Sequence, residues 1–439
     1  MIAVKSKFLV TSSENLYINS GFIFENGIIL KILSNSQIDE LAKVNPQYSI
    51  LDFSDKIIAP GFINAHMHQY GMLSHGIPSS VENFESFLED YWWPLVENRI
   101  GPEEVRCTTV ASAAEMLKSG VTGFCDTLEA PFSGKGILRE QAKLIEKIGM
   151  RALLSIESCE RIDITNGNDC LEENAEFIKW ARENTTKIQG LICTHTTFTC
   201  SENFLRRAKS LSEDLKCMWQ FHLSESVFEP AYCKEKFGMA PVEYLNRLEL
   251  LDERVLASQC VQIDENEQGI LKTKGVKTIH MPLSNCEVGG GIAPVPEMLE
   301  LGMEPALGSD GYVNDFFEVM RGAFLIHKAN KLNPQAMPSR SVFRMATEYG
   351  ARALGWDKSG VIKEGNWADF IVMNDAFPTP VTASNIYDQI IVFGRKEYIN
   401  SVFVDGKVLV FEGRLLTIDE KQANTDMRNC AAAFWEGLA

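Results

Sequence analysis

Between residues 58 and 356 the chain repeats one rhythm: a short apolar run, a polar amphipathic stretch, then another short apolar run. The runs are "IIAPGFINAH", "VTGFCDT", "MRALLSI", "IQGLICTH", "CMWQFHL", "RVLASQC", "VKTIHMP" and "MEPALGS". Strands separated by helical segments imply βαβ units, in which each crossover returns the chain to the same end of the sheet, so the strands run parallel. Eight such strands over roughly 300 residues match the count and size of a (β/α)8 TIM-like barrel. An open doubly wound sheet is the competing arrangement, but no GxGxxG follows the first run.

The two ends read differently. Residues 1 to 55 and 361 to 416 are short strands punctuated by Asn-Gly, Asp-Gly and Glu-Gly pairs, which are hairpin-turn signals. Two β-rich ends flanking one barrel suggest a small β-sandwich domain built from both chain termini. The expected division is a composite domain of residues 1–57 plus 357–439 around a barrel domain of residues 58–356.

Charge narrows the partners. Against 42 basic residues stand 59 acidic ones, a net charge of -17 that repels phosphate backbones and anionic membranes. No nucleic acid and no membrane are therefore expected as partners, and no run approaches bilayer-spanning length. The first twenty residues alternate apolar and polar positions, a strand pattern rather than an export signal. Eleven cysteines, scattered without a CxxC pair, fit neither a disulfide framework nor a zinc ribbon. A reducing cytoplasmic location is expected.

In a (β/α)8 barrel the chemistry sits at the C-terminal strand ends. Polar residues there are His66 and His68 on the first strand, His195 on the fourth, His222 with Glu225 on the fifth, Gln259 on the sixth, His280 on the seventh and Asp310 on the eighth. His66 and His68 are two residues apart, so on a strand both imidazoles project from one face, a geometry suited to gripping a metal.

The pieces "PGFINAHMH", "HTTFTCS", "FHLSE", "PLSNCEVGGGIAPVPEMLELGMEPALGSDG" and "GVIKEGNWADFIVMND" together resemble the amidohydrolase superfamily. The resemblance is to its metal-dependent cyclic-amidine deaminase branch, with the triazine-chlorohydrolase-like and SsnA-like members nearest. It implies that His66, His68, His222 and Asp310 hold one divalent metal ion, with Glu225 beside it. Three imidazoles and a carboxylate suit Zn²⁺, with Fe²⁺ or Mn²⁺ as alternatives, and leave a position for water. Such an ion lowers the pKa of bound water to about 7, so hydroxide is available at neutral pH. Asp310 then accepts a proton and Glu225 protonates a ring nitrogen. The expected reaction is deamination of a small heterocyclic substrate of purine, pterin, pyrimidine or triazine type, by an enzyme expected to be a homodimer. The alternatives are hydrolysis of another C–N or C–Cl bond, by a chlorohydrolase, alkylaminohydrolase or cyclic amidase, and a non-catalytic protein that keeps the fold.

One position departs from the family pattern. Gln259 stands where relatives end strand six with a histidine, and an amide can orient water or polarise a substituent but cannot exchange protons near neutrality. No lysine ends strand four, which argues against a second metal. His195, Trp92 and His280 are the candidate substrate contacts; His75 lies on a loop that reaches the same region, and His327 is expected on the surface.

Overall fold

The computed structural model describes residues 1–438. Its parallel strands are Phe62–Met67, Val121–Leu128, Arg151–Ile156, the broken pair Ile188–Gly190 and Ile192–Cys193, then Trp219–Leu223, Val255–Gln259, Lys277–His280 and Ala306–Leu307. Within the two sheets these strands form, each strand pairs with its neighbour in sequence. The fourth strand breaks at Leu191: its first half pairs with strand three and its second half with strand five, so the strands fall into a four-stranded and a five-stranded sheet. Strands one and eight meet at a single parallel bridge between Met67 and Asp310.

The helices follow the amphipathic stretches. Ile137–Ile148 buries Ile137, Leu138, Gln141, Ala142, Ile145 and Ile148, a stripe at intervals of one helical turn, and ends on Gly149 in the left-handed conformation, φ 100°.

Both termini join one continuous nine-stranded sheet. Its hub is Ser49–Pro60, parallel to Ile2–Val10 on one side and antiparallel to Phe370–Asn374 on the other. The Asn26-Gly27, Asp405-Gly406 and Glu412-Gly413 pairs all have positive φ at both residues, the requirement of the tight primed hairpin turn. Beneath them Phe370 stacks on Phe403 with ring centroids 4.4 Å apart and meets Phe22 edge-on at 5.0 Å. The hub strand passes through Gly61 directly into the first parallel strand. A Cβ at Gly61 would lie 2.2 Å from the Thr122 side chain, so only glycine allows this close passage.

A buried pair also ties the two regions. The Arg151 guanidinium on the third parallel strand donates to Asp369 through Nε at 2.9 Å and Nη2 at 3.2 Å, and lies over the Trp367 ring at 3.6 Å. A helix that the β-rich reading of the C-terminal end did not include, Glu420–Trp435, packs on the helix Pro102–Lys118; its Trp435 Nε1 donates to the Leu73 carbonyl at 2.7 Å, just beyond the first parallel strand. Among the described residues no helix is long and apolar enough to cross a membrane.

Candidate metal centre and active site

The two histidines of the first strand are aimed by a β-bulge. From Asn64 to Met67 the strand advances three residues while its partner advances two, Phe124 to Asp126. Ile63 and Ala65 therefore face the apolar interior with Leu256, Ile279 and Ala306, and the extra residue returns His66 and His68 to that same interior side. There they meet His222 from the fifth strand. His66 Nε2 lies 3.3 Å from His222 Nε2, and Asp310 Oδ1 lies 3.0 Å from His68 Nε2 and 3.8 Å from His66 Nε2.

The opposite nitrogens are directed elsewhere. His68 Nδ1 faces the Thr127 carbonyl at 2.8 Å, and His66 Nδ1 lies against Ser258 Oγ at 3.1 Å and the Gln220 amide at 2.6 Å. His222 Nδ1 faces Glu157 Oε2 at 3.6 Å. With Nδ1 occupied on the first two, the Nε2 lone pairs converge with a carboxylate oxygen, which is the donor set of a divalent ion. His66, His68 and His222 have ligand atoms close enough to share one ion.

Asp310 is held from three directions. Gln259 Nε2 donates to its Oδ2 at 2.7 Å, Ser284 Oγ to the same oxygen at 2.9 Å, and the Gly311 amide to Oδ1 at 2.9 Å. Burial opposes its ionisation, but hydrogen bonding and charge from His68, with charge from His66 and His222, hold its carboxyl well below the ordinary range. Glu225 goes the other way. Burial and the Asp310 charge push it well above the ordinary carboxyl value. Ser224, Gln259, Cys260 and Asp310 all have φ between 50° and 77°. Left-handed backbone at non-glycine residues costs on the order of 1–3 kcal/mol each, and here it gathers at the strand ends that carry the site.

The site opens into a cavity of about 520 Å³ lined by His68, His195, His222, Glu225, Gln259 and Asp310, with Trp92 and His75 at its outer part. Trp92 belongs to a π-helical stretch, Phe87–Val96, and its Nε1 lies 3.2 Å from Tyr70 Oη and 3.3 Å from Glu129 Oε2. His195 Nδ1 pairs with Thr199 Oγ1 at 3.0 Å while its ring sits edge-on to His222.

Two sequence expectations need correction. His280 does not line the cavity: Ile279 takes the interior position, and strand alternation turns His280 outward against the helix Phe316–Lys331. There its Nε2 lies 3.1 Å from His327 Nε2. His327 in turn is fully buried rather than on the surface, and burial leaves both imidazoles depressed, His327 to about 4. Gln259 does line the cavity; its amide nitrogen donates one hydrogen bond to Asp310 and its oxygen accepts from Asn285, so it also fixes the carboxylate.

Sequence reasoning missed Ser284 and Asn285, on the short helix after strand seven, and the acids Glu129 and Glu157. Strand parity could have found the acids, because Cys125, Thr127 and Glu129, like Leu153, Ser155 and Glu157, fall on one face.

Parallel strands carrying converging imidazoles and a carboxylate at their C-terminal ends define a metal-dependent hydrolase of TIM-like barrel architecture. The chain belongs to the Amidohydrolase family, whose model matches residues 57–409. It is 32% identical over 421 residues to a 5-methylthioadenosine/S-adenosylhomocysteine deaminase of Carboxydothermus hydrogenoformans, spanning 94% of this chain and 95% of that protein. A 5'-deoxyadenosine deaminase of Methanocaldococcus jannaschii is 30% identical over 428 residues, with 96% and 97% covered. In structure the chain is similar to an adenosine deaminase of Xanthomonas campestris with bound zinc, with TM-score 0.90, 23% identity, and 99% of this chain and 98% of that one covered.

Proposed function

We propose that this protein is a metal-dependent aminohydrolase that replaces the amino group of a nitrogen heterocycle, of the aminopurine kind its relatives are named for, with oxygen. The observation that carries the reading is the convergence of the His66, His68 and His222 imidazoles with the Asp310 carboxylate in one cavity that Glu225 also lines. A divalent ion held by His66, His68, His222 and Asp310, of which Zn²⁺ fits the donor set best, supplies Lewis acidity and activated water when bound.

The chain's own residues manage the protons. Asp310 accepts the proton lost by the attacking water, and Gln259 and Ser284 keep its Oδ2 in place for this. Glu225 donates to a ring nitrogen, which makes the adjacent carbon electrophilic; once that carbon gains the oxygen, Asp310 passes its proton to the amino group, which leaves as ammonia, and the hydroxyl proton returns to Glu225 as the carbonyl forms. The half-buried Trp92 and the Tyr91 and Phe87 rings offer an aromatic wall for a flat substrate.

The division into a barrel domain, residues 58–356, and a composite β-sandwich, residues 1–57 with 357–439, belongs to the same proposal and is supported by the sheet that both ends share. So do a homodimer and a cytoplasmic setting, the latter supported by eleven cysteines that are all free thiols. The test is ammonia release by zinc-loaded protein from 5'-deoxyadenosine, methylthioadenosine, S-adenosylhomocysteine, guanine and an aminotriazine. Release of chloride or alkylamine from triazines, without ammonia from any ring, would move the reaction to a different bond.

A further inference from the structure

The fifth parallel strand carries a second polar residue on the face of His222, two positions earlier. Gln220 is fully buried and reaches across the interior from that strand to the first and second. Its Nε2 lies 2.6 Å from His66 Nδ1 and 2.8 Å from Thr127 Oγ1, and its Oε1 lies 3.2 Å from Cys125 Sγ. A buried amide costs free energy unless its polar atoms are paired, and a leucine would fill the same space among Leu256 and Ile279 without that cost. The amide is therefore placed for what it does to His66.

Both orientations of that amide are satisfied by the same neighbours. With nitrogen toward His66, Nε2 donates to Nδ1 and to Thr127 Oγ1, and Oε1 accepts from the Cys125 thiol. Rotation about the last side-chain bond exchanges the two ends: Oε1 then accepts from His66 Nδ1–H and from the Thr127 hydroxyl, and Nε2 faces the Cys125 sulfur, a weak acceptor. Ser258 Oγ, 3.1 Å from Nδ1, turns to suit either. The orientations differ in what they demand of His66. In the first its proton sits on Nε2, which lies 3.3 Å from His222 Nε2 as acceptor. In the second the proton sits on Nδ1 and Nε2 offers a lone pair, the form of a neutral imidazole that holds an ion through Nε2. An Nδ1–H cannot face an amide N–H at 2.6 Å, so ligation by His66 requires the amide oxygen there.

We propose that Gln220 is a positioning residue whose amide turns end for end as the ion binds, and so sets which nitrogen of His66 carries the proton. This rests on the reading of His66 as a metal ligand and adds the residue that makes its Nε2 available.

The test combines nitrogen NMR of full-length protein labelled at histidine, with the His66 signals identified by their loss in His66→Gln, and zinc Kd from chelator competition. The zinc-free parent is expected to carry the His66 proton on Nε2 and the zinc-loaded parent on Nδ1. Gln220→Leu should weaken zinc binding by about tenfold or more, the usual cost of losing a residue that orients a ligand. Gln220→Glu, whose ionised oxygens only accept, should keep the proton on Nδ1 with or without zinc and bind zinc more tightly than Gln220→Leu, a rescue that a merely space-filling role does not predict. A proton on Nδ1 already in the zinc-free parent overturns the proposal, and that readout needs no variant at position 220 to fold. So does an unchanged zinc Kd in Gln220→Leu, or a Gln220→Glu protein that binds zinc no better than Gln220→Leu. An unchanged zinc Kd in His66→Gln would overturn the reading of His66 as a ligand itself, whereas the deaminase reading stands or falls on ammonia release.

Discussion

Replacing Gln259 by Leu removes one hydrogen bond from the most heavily used carboxylate in the site. The bond runs from Nε2 to Asp310 Oδ2 at 2.7 Å, and Gln259 is 1% exposed. Hydrogen bonds to charged groups contribute about 1.5–3 kcal/mol, which corresponds to a loss of about tenfold to about 150-fold in kcat/KM at about 1.4 kcal/mol per decade. Ser284 Oγ still holds the same oxygen at 2.9 Å, so the lower part of that range, about 10- to 30-fold, is expected. Leucine is similar in size and inherits the same φ of 77°, so backbone strain changes little. Because Gln259 acts through Asp310, kcat should fall with KM nearly constant, and chelator competition should show weaker metal retention. Gln259→Glu should be worse than Gln259→Leu, since it sets a second carboxylate against the first. A Leu variant with more than a third of parental kcat/KM, or a Glu variant equal to the parent, would refute the reasoning. Gln259→His is also expected to lower activity, since the site is built around the amide's two hydrogen bonds.

Glu225→Gln should retain the metal but lose about 10²-fold or more in kcat, because the amide cannot deliver a proton; equal turnover would place ring protonation elsewhere. Asp310→Ala should lose both turnover and metal, read by elemental analysis, and the wild-type chain should hold about one ion. Once the metal is stripped, the Glu129 and Asp310 charges outweigh burial and raise His68 to about 10, so at pH 7 its ring carries a proton that zinc must displace. Zinc affinity of the stripped protein should therefore rise with pH, about tenfold per unit between pH 7 and 9, and a flat profile in a zinc titration would contradict this. Arg151→Ala leaves Asp369 buried and uncompensated, and should lower stability to urea by about 3–5 kcal/mol, measured by the unfolding midpoint.

Much of this protein was legible in its residues alone. The alternation of apolar runs and amphipathic stretches specified parallel strands, because period and crossover length are local properties. The Asn-Gly, Asp-Gly and Glu-Gly pairs became tight turns because their positive φ is a demand of the turn itself. The order of motifs at strand ends, through the family resemblance, pointed to His66, His68, His222 and Asp310, which the fold brings together.

What the sequence could not decide was direction and partnership. His66 and His68 face inward only because a bulge inserts one residue, and a bulge is set by the partner strand's register. His280 faces outward because no such insertion precedes it, so a histidine at a strand end became a packed neighbour of His327. Gln259 was visible as an oddity, yet its purpose depended on Asp310 and Asn285 arriving from later strands and loops. The same holds for Glu129 and Glu157, separate in sequence and each unremarkable there. Side-chain chemistry is written locally, but the charge a carboxylate feels depends on what the fold places within a few ångströms of it, and that is decided only when strands from distant parts of the chain meet.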